Sequence, residues 1–217
     1  MKSPLIALMF LLSIAVTTAV LLPAAITVQA GSADTVKPQS QSDDGTKDST
    51  GSAADDATVS AVQYCANQGG VVEVRDPYFN TNDIEQNWLQ LSGARQFCRF
   101  GDGTSRIYVL LSTLYTEKPS LAALAYYAAV PLSVTCNGNP ASCYCSQLGG
   151  TDLFGGINLN GGGWVLKSDP VYTTLEACIF PDMSSIDSWG LAYHQGGVNR
   201  GKNLAHVLRY PNPYSTK

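Results

Sequence analysis

Six cysteines are the residues of this 217-residue chain whose chemistry is most constrained, and they lie at positions 65, 98, 136, 143, 145 and 178. A set of this kind forms disulfides, holds a metal ion or performs thiol redox chemistry. The C-x-x-C pair of redox proteins is absent from the sequence, and the spacing matches no zinc ribbon. Disulfides are therefore favoured. The alternative is a zinc site formed by Cys136, Cys143, Cys145 and Cys178.

A hydrolytic site is the second chemistry that the residue types allow. His194 has the side chain of a general base. Asp182 or Asp187 could then orient the imidazole, and Ser184 or Ser185 could act as the nucleophile. No G-x-S-x-G or H-E-x-x-H motif frames any of them. We therefore predict no catalytic residue, metal or cofactor, and a hydrolase that uses His194 remains an alternative.

The chain contains an internal repeat at an offset of 80 residues. The segments YCANQGG at 64–70 and YCSQLGG at 144–150 align, and residues 61–131 share fourteen identities with 141–211 without a gap. The shared cysteines are 33 residues apart in each copy, so equivalent bonds would join Cys65 to Cys98 and Cys145 to Cys178. Cys136 and Cys143 then remain for a third disulfide that closes a short loop.

The tryptophans provide the candidate ligand contacts. Trp164 and Trp88 lie between the repeated positions, and an indole that the repeated core does not need is available to a ligand. Local core packing is the alternative for both. Trp189 falls at a repeated position, opposite Val109 of the first copy, so we expect it in the core. The glycine run before Trp164 lacks the Lys-Ser/Thr of a phosphate-binding loop and favours a hairpin or an exposed loop.

Capping and turn signals predict how each copy folds. Asn139 suits the N-cap of a short helix, Pro140 its first turn and Gly149 its left-handed C-terminus. Strands follow, including a hairpin that turns at Gly-Asp-Gly. A terminal helix closes each copy, one capped by Ser120 and the other preceded by Asn199. The predicted class is α+β, with two tandem small disulfide-stapled modules, each a short helix followed by antiparallel strands and a terminal helix.

Composition sets the boundaries of these modules. Lys2 precedes a long uncharged run that ends in the small-residue pattern VQA, which predicts a signal peptide at 1–30. An uncleaved membrane anchor is the alternative. Residues 31–58 are acidic, rich in serine and free of aromatic residues, which predicts a disordered tether. The first module then covers 59–132 and the second 133–217.

Charge and the export signal limit the location and the partners. The net charge is −4 and no clustered basic face is recognisable, so we expect no nucleic-acid partner. Contact with a membrane is expected only through the signal or anchor segment. We expect an extracytoplasmic protein (secreted, periplasmic or at the cell surface) that meets an unknown envelope or extracellular ligand.

The second copy resembles a known family through two motifs. These are Asn-Pro-Ala-Ser-x-Tyr-Cys-x3-Gly-Gly at 139–150 and Cys-x-Phe-Pro-Asp-x-Ser at 178–184, followed by Trp189. They are similar to a small family of bacterial envelope proteins described as haemolysin-like and classed as a domain of unknown function. Met183 and Ile186 depart from that family, which usually has Gly and Cys there. The resemblance implies an exported, cysteine-stabilised α+β module and no particular mechanism.

The function that these patterns predict is an exported, non-catalytic binding or structural module of the cell envelope or the extracellular space. A membrane-active, haemolysin-like protein is the alternative. Its candidate membrane element is the segment LAALAYYAAVPL at 121–132, which has no basic residue.

Overall fold

The computed structural model describes residues 53–152, 161–168 and 174–215. Within these ranges the protein is an α+β fold with five α-helices and an antiparallel sheet. The helices are α1 (Ala53–Asn67), α2 (Leu111–Tyr115), α3 (Leu121–Ala128), α4 (Pro140–Gln147) and α5 (Ser188–Gln195). The strands are β1 (Val71–Phe79), β2 (Leu89–Gln90), β3 (Arg95–Asp102), β4 (Ser105–Leu110), β5 (Gly162–Val165), β6 (Ala177–Ile179) and β7 (Ser185–Asp187). Short 3-10 helices cover Glu85–Asn87 and Leu204–His206.

The sheet takes its strands from both halves of the chain. Its order is β2-β1-β3-β4-β7-β6, and β5 pairs with the C-terminal part of β1. At the centre β4 of the first half lies antiparallel to β7 of the second half, with Val109 opposite Ile186. The described residues of both halves lie in one compact unit. The predicted boundary between 132 and 133 therefore does not divide the sheet into two.

Each face of the sheet has its own core, because side chains alternate along a strand. In β4, Ile107 and Val109 join the larger core, to which all five helices contribute buried residues. Tyr108 and Leu110 point to the opposite face and join a smaller core. That smaller core also contains Phe97, Trp164, Leu175 and Ala177.

The three predicted disulfides are confirmed. Cys65 is bonded to Cys98 and Cys145 to Cys178, each pair 33 residues apart, and Cys136 is bonded to Cys143 seven residues away. No cysteine within the described ranges is free, so the alternative of a cysteine zinc site is wrong. Disulfides in this number are typical of an oxidising, extracytoplasmic environment.

The disulfides also explain the Gly-Gly pair of each copy. Gly69 and Gly149 have φ angles of 77° and 86°, the left-handed conformation that ends the preceding helix. Gly70 and Gly150 follow, and a Cβ at either would clash with the sulfur atoms of the adjacent disulfide. The first glycine of the pair thus turns the chain, and the second gives the disulfide room.

The helix starts predicted at Asn139 and Ser120 are confirmed by their caps. The side chain of Asn139 accepts a hydrogen bond of 2.9 Å from the N–H of Ala141, and Pro140 is the first residue of α4. Ser120 accepts a hydrogen bond of 3.3 Å from the N–H of Ala123 at the start of α3. These polar caps satisfy N–H groups that a helix leaves unpaired in its first turn.

Two predicted elements differ from the structure. The helix α1 begins at Ala53, so residues 53–58 of the predicted tether are helical; the helix is anchored by Ala61 and Cys65, which are buried. The predicted terminal helix of the second half is only the 3-10 helix Leu204–His206. Beyond it, the N–H of Arg209 donates to the carbonyl of Leu114 instead of continuing the helix. The predicted signal peptide (1–30), tether residues 31–52 and residues 153–160 of the glycine-rich segment lie outside the described residues.

Candidate functional site

A polar cleft of about 650 Å³ opens where the β3–β4 hairpin meets helix α5. Its volume lies within the range of small-molecule sites, about 300–1,000 Å³. Four segments of the chain form its walls, and they are 104–108, 174–176, 187–193 and 198–200. The cleft therefore combines the hairpin of the first half with a helix and a loop of the second half.

Helix α5 places two aromatic rings in this cleft. Its N-cap is Asp187, whose Oδ1 accepts hydrogen bonds from the N–H groups of Trp189 at 2.9 Å and Gly190 at 3.2 Å. Gly190 lets the helix lie close to β4, since a Cβ there would come within 2.6 Å of the Ile107 side chain. Trp189 and Tyr193 are one turn apart, with ring centroids separated by 5.9 Å. Trp189 is half-buried and Tyr193 is 44% exposed, so both rings reach the opening.

Two arginines provide the positive charge of the cleft. Arg200 donates from Nε and Nη2 to the carbonyl of Thr104 at 3.3 and 2.9 Å, and its guanidinium lies 5.3 Å from the ring centroid of Tyr193. Arg106 lies 5.6 Å from the ring centroid of Tyr108. Within the described residues the Arg106 side chain has neither an ion pair nor a hydrogen bond. Its donors therefore remain available in the cleft.

Two carboxyl groups lie beneath these side chains. Asp187 is 4% exposed, and its burial raises its pKa to about 6 against the opposing effects of the Gly190 N–H and the Arg200 charge. Burial also raises the pKa of Glu176, although hydrogen bonds from Asn139 and Trp189 oppose the shift. The Nδ2 of Asn139 donates to Glu176 at 2.7 Å. Helix caps and hydrogen bonds thus hold both acids in place, and they form the floor of the cleft.

The two tryptophans predicted as ligand contacts lie elsewhere. Trp164 is 3% exposed and packs edge-on against Phe97 with ring centroids 5.5 Å apart. Trp88 is half-buried, packs edge-on against Tyr78 at 6.1 Å, and donates from Nε1 to the carbonyl of Asp83 at 2.9 Å. Neither indole lines the cleft. The burial of Trp164 corresponds to the alternative of local core packing.

Trp189 is the reverse case, because it was expected in the core and lines the cleft. The ungapped repeat placed it opposite Val109, yet α2 and α5 begin at Leu111 and Ser188, 77 residues apart (188 minus 111). Val109 lies opposite Cys98 in its hairpin, and Ile186 lies opposite Cys178 in the other. Val109 and Ile186 are both fully buried. The segment between the second cysteine and the residue opposite it is therefore three residues shorter in the second half than in the first. Ile186, and not Trp189, occupies the core position that corresponds to Val109.

The predicted hydrolytic residues are not brought together. His194 stacks on Tyr126 at a centroid distance of 3.8 Å, and its Nδ1 lies 3.0 Å from Oδ1 of Asn199. It makes no hydrogen bond to a carboxylate within the described ranges. The two candidate acids, Asp182 and Asp187, instead accept hydrogen bonds from helix N-termini.

Asp182 and Ser184 instead hold the start of helix α3. Asp182 accepts from the N–H of Leu121 at 2.8 Å, and Ser184 Oγ accepts from the N–H of Ala122 at 2.9 Å. The Ser184 hydroxyl donates to Asp182 at 2.5 Å. At the β3–β4 turn, Ser105 Oγ accepts from the N–H of Gly201 at 3.2 Å. Each hairpin turn thus binds the terminal segment of the opposite half.

Comparisons with protein-family models, with curated proteins and with solved structures find no match for this chain. Among the described residues, no three His, Cys, Asp or Glu side chains are grouped so as to hold a metal ion. The same part of the chain contains no helix that is long and apolar enough to cross a bilayer. The resemblance to the haemolysin-like family stays a prediction.

Proposed function

We propose that this chain is an exported, non-catalytic binding module whose ligand site is the cleft beside Trp189. One observation carries the proposal: two accessible aromatic rings and the unpaired guanidinium of Arg106 converge on an opening of small-molecule size. Convergent polar groups beside aromatic faces are the usual composition of a binding site. None of the hydrolytic candidates shares this cleft in a catalytic arrangement.

The proposed location is the cell envelope or the extracellular space. The three disulfides support an oxidising compartment. The predicted signal peptide at 1–30 supplies the route of export. The ligand is then expected among molecules outside the cytoplasm, and we propose no nucleic-acid partner.

We also propose that the two halves are duplicated modules that have fused into one sheet. The equal disulfide separations and the two Gly-Gly turns support this origin. Reciprocal capping supports it as well, because Asp182 binds the start of α3 and Ser105 binds Gly201. The cleft then belongs to the duplicated arrangement, since one module supplies Arg106 and the other supplies Trp189.

The packing of helix α3 argues against the membrane-active alternative. Its apolar side chains Ala122, Ala123 and Tyr126 are buried in the larger core. A membrane-active segment must expose an apolar face, and exposing this one would open the core. We therefore expect no lysis of erythrocytes by the folded protein.

Retention on isolated cell envelopes tests the proposed function. The full chain is expressed with its own export signal, and the exported protein is collected. It is then sedimented with envelope fragments of the cells that exported it. We expect Trp189→Ala to reduce the sedimented fraction severalfold, and the matched variant Trp88→Ala to leave it unchanged. Equal retention of both variants and the wild type would contradict a ligand site at Trp189. Circular dichroism of each variant confirms that it is folded.

A further inference from the structure

We infer that the cleft recognises a carboxylate-bearing saccharide, with Trp189 as the stacking surface and Arg106 as the carboxylate partner. The inference deepens the proposed function and rests on it. It commits to one ligand class, a short chain of uronic acid units.

The aromatic wall suits a sugar ring. A pyranose has one face of C–H groups and a rim of hydroxyls, so it can lie flat on an indole while its rim stays hydrogen-bonded. Trp189 and Tyr193 form such a wall over one helical turn, and Tyr193 is 44% exposed. The remaining walls carry hydroxyl and amide groups from Thr104, Ser105 and Asn199. A ligand rich in hydroxyls finds partners there, whereas an apolar ligand does not.

The guanidinium of Arg106 is the charged group of the cleft that suits an acidic sugar. The charge of Arg200 is opposed by the buried Asp187 beside it, and two of its donors are bonded to Thr104. Arg106 lies on the same face of β4 as Tyr108, with no ion pair inside the described part of the chain. A guanidinium binds a carboxylate through two parallel N–H···O bonds. Arg106 is therefore the group that would discriminate a uronate from a neutral sugar.

Calorimetric titration of the full-length protein with trigalacturonate tests the inference. Maltotriose serves as the neutral saccharide and a triglutamate peptide as the acidic peptide. We expect saturable binding of trigalacturonate alone. Arg106→Gln should weaken it about 10- to 100-fold, the usual effect of losing a charged hydrogen bond. Arg106→Lys should restore part of the affinity, because the charge returns without the bidentate geometry. The matched control is Arg95→Gln, a half-buried arginine outside the cleft.

Several results would overturn the inference. Equal binding of maltotriose would remove the role of the carboxylate, and tighter binding of triglutamate would assign the cleft to acidic peptides. If none of the three probes binds while envelope retention still depends on Trp189, the inference fails and the proposed function stands. Release of reducing ends from trigalacturonate would contradict the non-catalytic part of the proposed function.

Discussion

Asp187→Asn should remove much of the pH dependence of stability, because this carboxyl is buried with a pKa raised to about 6. The free acid has a pKa of 3.8. The native state therefore holds the proton more tightly than the unfolded chain. Its contribution to stability is complete below pH 3.8 and is lost as the pH rises through 6. The difference of about two pKa units corresponds to about 3 kcal/mol. An asparagine cannot ionise, yet its side-chain oxygen can still accept from the N–H groups of Trp189 and Gly190.

Urea unfolding between pH 4 and pH 7.5, followed by tryptophan fluorescence, measures this difference. The free energy of unfolding of the wild type should fall relative to Asp187→Asn by about 2–3 kcal/mol across this range, because most of the contribution is still present at pH 4. Asp182→Asn is the matched control, because Asp182 also caps a helix but is exposed. Burial raises the pKa of Asp182, but hydrogen bonds from Ser184 and the N–H of Leu121 outweigh this effect, so its pKa lies below the ordinary value. Its contribution is lost as the pH falls, so this variant should show the opposite trend. Parallel profiles for the wild type and Asp187→Asn would refute the reasoning.

Three further predictions concern packing and the disulfides. Gly150→Ala should destabilise the protein by about 1–3 kcal/mol, through overpacking against the disulfide. The loss should exceed that of Gly196→Ala, because Gly196 has a φ of −85° and its Cβ would only touch the Tyr193 carbonyl at 3.4 Å. Thermal unfolding compares the two variants, and an equal loss would show that the clash is relieved. Trp164→Ala should lower the free energy of unfolding by about 3–5 kcal/mol as a core substitution, and Trp189→Ala by clearly less. Denaturant titration measures both losses, and the reverse order would contradict the prediction. The double variant Cys145→Ser/Cys178→Ser should lose about 3–4 kcal/mol of unfolding free energy. Both halves should still unfold in a single transition, because they share one sheet and one core. Two separate transitions would instead indicate independent modules.

Local signals in the sequence were sufficient for much of the fold. Asn139 and Ser120 predicted helix starts because a cap acts within three residues. Two of the cysteine pairs followed from the equal spacing of 33 residues in the two aligned segments. The turn at Gly149 followed from the conformational freedom of glycine, and the alignment placed Gly69 at the equivalent position. Each of these features depends on residues close together in the chain or on a direct repeat of them.

The candidate site required information that is not local. The cleft joins Arg106 to Trp189, and the contact exists because β4 and β7 pair across the two halves. No spacing in the sequence encodes that pairing. The ungapped repeat also gave Trp189 the position that Ile186 occupies, because it ignored the three-residue change in length after Cys178. An alignment that allowed a gap and matched Val109 with Ile186, the apolar residues opposite the second cysteine of each half, would have revealed this change.

The three tryptophans allow one measurement that tests the binding site most directly. In protein labelled with nitrogen-15, each indole N–H gives a separate NMR signal, and the variants Trp88→Phe, Trp164→Phe and Trp189→Phe assign them. We expect titration with trigalacturonate to shift the signal of Trp189 in a saturable manner and to leave those of Trp88 and Trp164 in place. A saturable shift confined to Trp88 or Trp164, or no shift of Trp189 at saturation, would contradict the assignment of the cleft as the ligand site.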